Sequence, residues 1–429
     1  LKNLNSIWWI NPARLVISIL LPIYVIAYLS AGSSIGRVKN YFEPLYFMIG
    51  LILILSIYLS ISLALKVNLP INRNNFYFVV KDSFLEILFW ITFIGYLVWF
   101  YQLIINPQMI MNYFNQKGYA WVIRDQLKTL PGITSFTQCG IVFSIFFINN
   151  VFVSTAHHLK IKKRFKFYFI ILVLLTVLRS FIWSERLALI ELFVPILLLY
   201  LNFRSFRKRT VKLFLNLLPF YSTIFLVTLF GVTEYFRSWP YYRDYYSSFL
   251  NFITERIMLY YLTAINNGVG TLQYYNWPSY SFLFTLNWVY KLPGIGEYLL
   301  NWQKDNIPSF VNEYGNREFT NISGLFAIVY DLGVIGAFFY CVVWGFFIGI
   351  IYNSFRKKHI IGLLLYPVFF MSLIEFYRIL YLGESRVFYI FLFGLLGILF
   401  SQKISMSNFY SFPRYENPSM TYKSSIINN

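Results

Sequence analysis

Apolar segments long enough to cross a lipid bilayer recur from one end of this chain to the other, and that recurrence limits what it can fold into. Candidate spans cover residues 15–32, 44–65, 84–106, 134–155, 167–180, 187–202, 211–235, 322–352, 361–378 and 387–402. A hydrocarbon core about 30 Å thick takes about twenty apolar residues as a helix, and backbone groups inside it must be satisfied within the chain. The reading is an all-α polytopic integral membrane protein with about ten transmembrane helices. No small-residue cleavage site follows the first apolar segment, which therefore reads as a retained span. Cys139 and Cys341 both fall within predicted spans, where a thiol packs as a small apolar group.

A formal net charge of +19 would suggest a nucleic-acid partner in a soluble protein, but here it sorts by loop. The basic linkers HHLKIKKRFK (157–166), FRSFRKR (203–209) and FRKK (355–358) alternate with linkers poor in lysine. That alternation puts both termini in the cytoplasm and argues for no nucleic acid. On this topology the outer linkers hold ten Arg and five Lys, and the inner ones eight Arg and thirteen Lys. Lysine suffices to orient a membrane protein, whereas a planar guanidinium suits bidentate contact with phosphate or carboxylate. Chance together with a mild headgroup preference is the competing explanation.

The chain reads as one transmembrane domain, residues 1–401, followed by a polar cytoplasmic tail, 402–429. Within the domain, one outer segment, 237–321, is too long for a simple turn. Its stretch FLNFITERIMLYYLTAINN (249–267) has apolar residues at helical spacing and reads as an amphipathic helix on the outer membrane face, with Glu255 and Arg256 toward the surface. The twelve Tyr and four Trp between residues 237 and 320 fit either an interfacial aromatic belt or surfaces that stack on sugar rings.

Charge interrupts the apolar run in VLRSFIWSERLALIELFVP (177–195), which reads as the outer bend between the fifth and sixth spans. Arg179, Glu185, Arg186 and Glu191 lie there, at a depth where charge is costly unless it pairs or meets water. Glu234 and Arg237 end the seventh span, Asp331 lies in the eighth, and Glu375, Arg378, Glu384 and Arg386 surround the last outer turn. Two readings stand: helix-end ion pairs that hold the bundle together, or one site. All three histidines, His157, His158 and His359, fall in cytoplasmic linkers, and no Asp-x-Asp pair occurs outside. A divalent-metal site is not expected. Arginine for an anion and carboxylate as a base remain, the ingredients of a transfer in which a diphosphate leaves without metal help.

LRSFIWSERLALIELFVP, RDQLKTLPGITSFTQCG (124–140) and GLFAIVYDLGVIGAFFY (324–340) resemble segments of the bacterial oligosaccharide repeat-unit polymerases, the Wzy-type O-antigen polymerases, and the topology is similar along most of the chain. The resemblance implies a membrane-embedded glycosyltransferase of GT-C-like architecture in the bacterial cytoplasmic (inner) membrane, with no cofactor. It would move a glycan from undecaprenyl diphosphate onto a second lipid-linked repeat at the periplasmic face, with membrane lipids and a chain-length regulator protein as further partners. Under it, Arg179, Arg186, Arg256, Arg378 and Arg386 form a diphosphate cradle, because they are the outer arginines nearest span ends, where a diphosphate on a buried lipid tail must lie. Glu185, Asp331 or Glu384 is the base. A carboxylate held beside arginines is a weak base, so that residue has to sit apart from the cluster or be desolvated. The alternatives are an O-antigen ligase, disfavoured because no histidine lies outside, a lipid-linked oligosaccharide flippase or polysaccharide transporter, and a membrane acyltransferase.

Overall fold

The structure is a computed structural model, and it describes residues 7–31, 39–67, 76–115, 132–156, 160–183, 185–204, 206, 208–292, 294–302, 310–315 and 318–405. Among the described residues, eight helices are long and apolar enough to cross a membrane. They are α1 (Pro12–Ala31), α2 (Pro44–Lys66), α3 (Asp82–Ile105), α4 (Cys139–Ala156), α5 (Lys163–Ile182), α6 (Arg186–Phe203), α7 (Leu218–Arg237) and, after α8 (Phe249–Tyr274), α9 (Gly324–Arg356). Two shorter apolar helices follow, α10 (Ile360–Ile374) and α11 (Ser385–Leu399). At 15 residues each they extend about 22 Å, less than the thickness of a hydrocarbon core. The chain is thus a largely helical polytopic membrane protein, and each of the ten apolar segments is helical.

Strands are the first departure from an all-α reading. β1 (Phe76–Val80) pairs antiparallel with β2 (Ser401–Ser405), with Phe76 opposite Ser405 and Val80 opposite Ser401. Residues 402–405, read above as the start of a polar tail, therefore belong to the fold, and residues 406–429 lie outside the described residues. A two-stranded ribbon leaves an unpaired edge on each strand. Part of that edge is satisfied from α4: Asn150 accepts from Val80 N at 3.0 Å and donates to Val80 O at 2.8 Å, while Asn149 donates to Phe78 O at 2.8 Å. Close by, Lys162 and Arg164 pair with Asp82 and Glu86 at 2.7 and 2.6 Å. Helix α5 starts at this end and finishes with Arg179 at the other, which carries the charged cluster.

The long segment 237–321 also differs from its expected form. Helix α8 has 26 residues and is held in the bundle rather than laid on its surface. Arg256 is buried, and Thr263, Asn267 and Thr271 form a buried polar stripe at four-residue spacing. Asn267 donates to the carbonyls of Phe319 and Asn321 at 2.8 and 3.0 Å. The apolar periodicity therefore marks the face by which α8 packs into the bundle, and Leu250 and Met258 on the other face stay exposed.

Helix α9 is broken at Gly333, whose φ of 73° and ψ of 174° lie in a region essentially open to glycine alone. The break frees carbonyls that a continuous helix would bond. Ser279 N donates to Tyr330 O at 2.8 Å and Tyr280 N to Asp331 O at 3.0 Å, so the connection after α8 docks at the break. Beyond it, Gly345 and Gly349 bring α9 onto the Ser60 and Ala64 side of α2. A β-carbon at Gly345 would lie 2.2 Å from Ser60 Oγ, and one at Gly349 would lie 2.5 Å from Ala64 Cβ. Small residues four apart are what allow such close approach in lipid, where association depends on packing. Gly349→Leu should lower the stability of detergent-purified protein by at least about 1–3 kcal/mol. An unfolding midpoint equal to that of the wild type would show that the α2–α9 contact is not close-packed.

Candidate functional site

The turn after α5 is closed by Trp183 N donating to Arg179 O and Glu185 N donating to Ser180 O, each at 3.0 Å. This places Arg179 in the last turn of one helix and Glu185 just before the next. The Arg179 side chain is 5% exposed; its Nε and Nη2 donate to Glu185 Oε2 at 2.9 and 2.5 Å, and its Nη1 donates to Thr137 Oγ1 at 2.8 Å. Its guanidinium lies 4.2 Å from the Trp99 ring centre. Arg386, in the first turn of α11, reaches Glu191 Oε1 at 3.1 Å and lies 3.9 Å from Glu185 Oε1. Glu191 is 1% exposed, so α5, α6 and α11 are joined by charge below the surface.

A second set runs through Glu234 at the end of α7. Arg186 pairs with Glu234 Oε1, donates from Nε to Thr233 Oγ1 at 3.0 Å, and lies 3.5 Å from the Phe230 ring centre. Glu234 Oε2 lies 3.1 Å from Arg256 Nε, and Arg256 Nη1 donates to Glu318 Oε2 at 2.6 Å. Tyr242 also donates to Glu318. Tyr242, Phe252 and Phe319 surround the Arg256 guanidinium at 5.2, 5.3 and 5.0 Å. Burial alone would lower the Arg256 pKa; the Glu234 and Glu318 carboxylates beside it more than offset that, and the pKa rises. Burial and then the hydrogen bond to Glu318 push the Tyr242 hydroxyl up to about 12.

Glu375 and Arg378 supply the third set, paired at 2.5 Å on the turn between α10 and α11. Burial pushes the Glu375 carboxyl up against the opposing pull of Arg378, and it also feels the charges of Glu191 and Arg386. Tyr260 of α8 links this set to the second, with Arg378 at 4.9 Å and Arg186 at 5.9 Å from its ring centre. Arg179, Arg186, Arg256, Arg378 and Arg386, drawn from five elements, thus meet at one end of the bundle, each on at least one carboxylate. Glu318, Tyr242, Tyr260 and Thr137 are members that sequence reasoning missed. Glu318 meets Arg256 across 62 residues, and nothing local marks it. The Arg237 side chain and residues 124–131 lie outside what is described.

The other two acids named from the sequence are held differently. Glu384 is met by Asn287 Nδ2 at 3.1 Å and Lys291 Nζ at 3.2 Å and is 23% exposed. It shares its turn with Arg378 and Arg386 and its charge acts on Arg386, but its salt bridge is to Lys291. Asp331 is fully buried, and its Oδ2 accepts from Phe284 N, Thr285 N and Thr285 Oγ1 at 3.0, 2.7 and 2.9 Å. It ties the segment after α8 to the broken helix, which is the work of an anchor. Gly383 lies under the same segment, since a β-carbon there would meet Phe284 O at 2.1 Å. Among the described residues no three His, Cys, Asp or Glu side chains converge as a metal site would need.

Loss of the Asp331 acceptor should release this anchor. Asp331→Leu should make residues 276–286 sensitive to protease, while Asp331→Asn, which keeps one oxygen acceptor, should stay largely protected; equal protection of both variants would contradict the anchoring role. The cost of leaving the buried amides unpaired is about 1–3 kcal/mol each.

No protein-family model, curated protein or solved structure matches this chain.

Proposed function

We propose that this protein polymerises undecaprenyl-diphosphate-linked oligosaccharide repeat units into a surface polysaccharide, O-antigen or capsule. It would work by metal-independent glycosyl transfer at the outer face of a bacterial cytoplasmic membrane, with both termini inside. The observation that carries this reading is the meeting of Arg179, Arg186, Arg256, Arg378 and Arg386 at one end of a membrane bundle. A diphosphate whose lipid tail lies among the helices has its charge at that depth, and clustered guanidinium groups suit it by charge and by fork geometry.

In the proposed reaction a hydroxyl of the acceptor sugar attacks the anomeric carbon of the donor glycan. The bond from that carbon to the diphosphate oxygen breaks, the hydroxyl proton passes to a carboxylate, and the lipid diphosphate leaves with its charge held by arginine. Glu384 fits the base better than Glu185 or Asp331. Its ion pair is to the half-exposed Lys291 and not to an arginine fork, and it is 23% exposed, whereas Glu185 is gripped by Arg179 and Asp331 Oδ2 is taken by three hydrogen bonds from the anchored segment. A chain-length regulator protein remains a proposed partner.

The break at Gly333 favours a second reading, a flippase for lipid-linked oligosaccharides, because interrupted helices mark the substrate sites of many transporters. One assay separates the two. Protein in lipid with a defined lipid-linked repeat and excess chelator should lengthen the glycan, and Arg179→Ala or Arg186→Ala should slow it by about ten- to a hundredfold, with poor rescue by lysine. Translocation without lengthening, or lengthening that chelator abolishes and magnesium or manganese restores, would sink the polymerase reading as stated.

A further inference from the structure

We infer that Glu185 sits in the seat of a substrate anion, and that a diphosphate group enters by displacing it. This rests on the diphosphate reading above and names how the seat is kept in its absence. Glu185 Oε2 takes both Nε and Nη2 of Arg179, and Oε1 faces Arg386 Nη2 at the longer distance of 3.9 Å. A guanidinium fork presents the same two N–H groups to a phosphate as to a carboxylate. Glu185 also immediately precedes α6, a helix of 18 residues, whose amino end favours negative charge.

The three charged groups differ in how firmly they are held. Arg179 keeps Thr137 at 2.8 Å and Trp99 at 4.2 Å without help from Glu185, and Arg386 keeps Glu191 at 3.1 Å. Both guanidinium groups therefore stay in place when Glu185 leaves. Glu191 is only 1% exposed at the wall of a small cavity that Arg179 and Thr137 also line, whereas the Glu185 side chain is 30% exposed on a turn. Two fixed arginines with one movable acid make a preformed anion seat. A diphosphate, carrying more charge than one carboxylate, is the stronger occupant, and Glu185 is then a competitor of substrate and not its base.

The test is calorimetric titration of inorganic pyrophosphate into the full-length protein in nanodiscs at fixed ionic strength. Glu185→Gln should bind about three- to tenfold more tightly than wild type, the range expected when a partly exposed ion pair no longer competes. Glu255→Gln, outside the cluster, should leave affinity unchanged, and adding Arg179→Gln to Glu185→Gln should remove the gain. If Glu185→Gln does not fold, Glu185→Asp, which retracts the acid from the fork, should still tighten binding. A short-chain isoprenyl diphosphate should show the same gain and bind more tightly than pyrophosphate; equal affinity would overturn assignment of the seat to a lipid carrier. Pyrophosphate affinity unchanged or weakened in a folded Glu185→Gln or Glu185→Asp protein would overturn the inference. Tighter binding without glycan lengthening would remove the polymerase reading and leave the seat standing; lengthening with unchanged affinity would do the reverse.

Discussion

Charge buried at the end of a membrane bundle has to be paired, and much of this structure follows from that constraint. Glu234 is 2% exposed and lies between two guanidinium groups, Arg186 of α6 and Arg256 of α8. An isolated carboxylate there would cost several kcal/mol after relaxation. Its two partners therefore fix where α6 and α8 stand relative to α7. Glu191 does the same for α6 and α11 through Arg386. The long connection between α7 and α9 is drawn into the bundle by Arg256, not laid across it, and its far end returns through Glu318 to the same arginine.

The second organising feature is the break at Gly333. It frees backbone acceptors in the interior, and the connection after α8 supplies the donors. With Asp331 holding Phe284 and Thr285 at the same place, that connection runs across Gly383, between Arg378 and Arg386. Packing of the α2–α9 pair through Gly345 and Gly349, the seating of the broken helix and the position of the arginine-bearing turn are thus one continuous arrangement. The helices supply rigidity, and the charge pairs choose which ends meet.

Much of this was legible in the sequence because the bilayer imposes length. Each of the ten apolar runs is largely helical, and the five arginines chosen by their place near span ends lie together at one end of the bundle. What the sequence concealed was partner identity. Glu318 and Tyr242 approach Arg256 from positions with no periodic relation to it, and FYFVV read as linker because its partner strand lies more than 300 residues away. Asp331 reads as a base candidate because acids in apolar helices often serve function; the donors on its Oδ2, Phe284 and Thr285, sit in a connection whose path no local pattern predicts. Helix α8 is two-faced as its spacing implies, with Leu250 and Met258 exposed, but its other face and Arg256 are packed into the bundle, since apolar spacing gives the face to be covered and not what covers it.

The central claim, that paired buried charge holds this end of the molecule together, is tested most directly by a double-mutant cycle on Glu191 and Arg386 in the detergent-purified protein. Removing only the arginine leaves an acid that is 1% exposed without its cation. Arg386→Ala should therefore cost about 3–5 kcal/mol of stability, and the double replacement Arg386→Ala/Glu191→Ala should cost no more than the single change. Additive losses, or an Arg386→Ala protein as stable as wild type, would contradict the account.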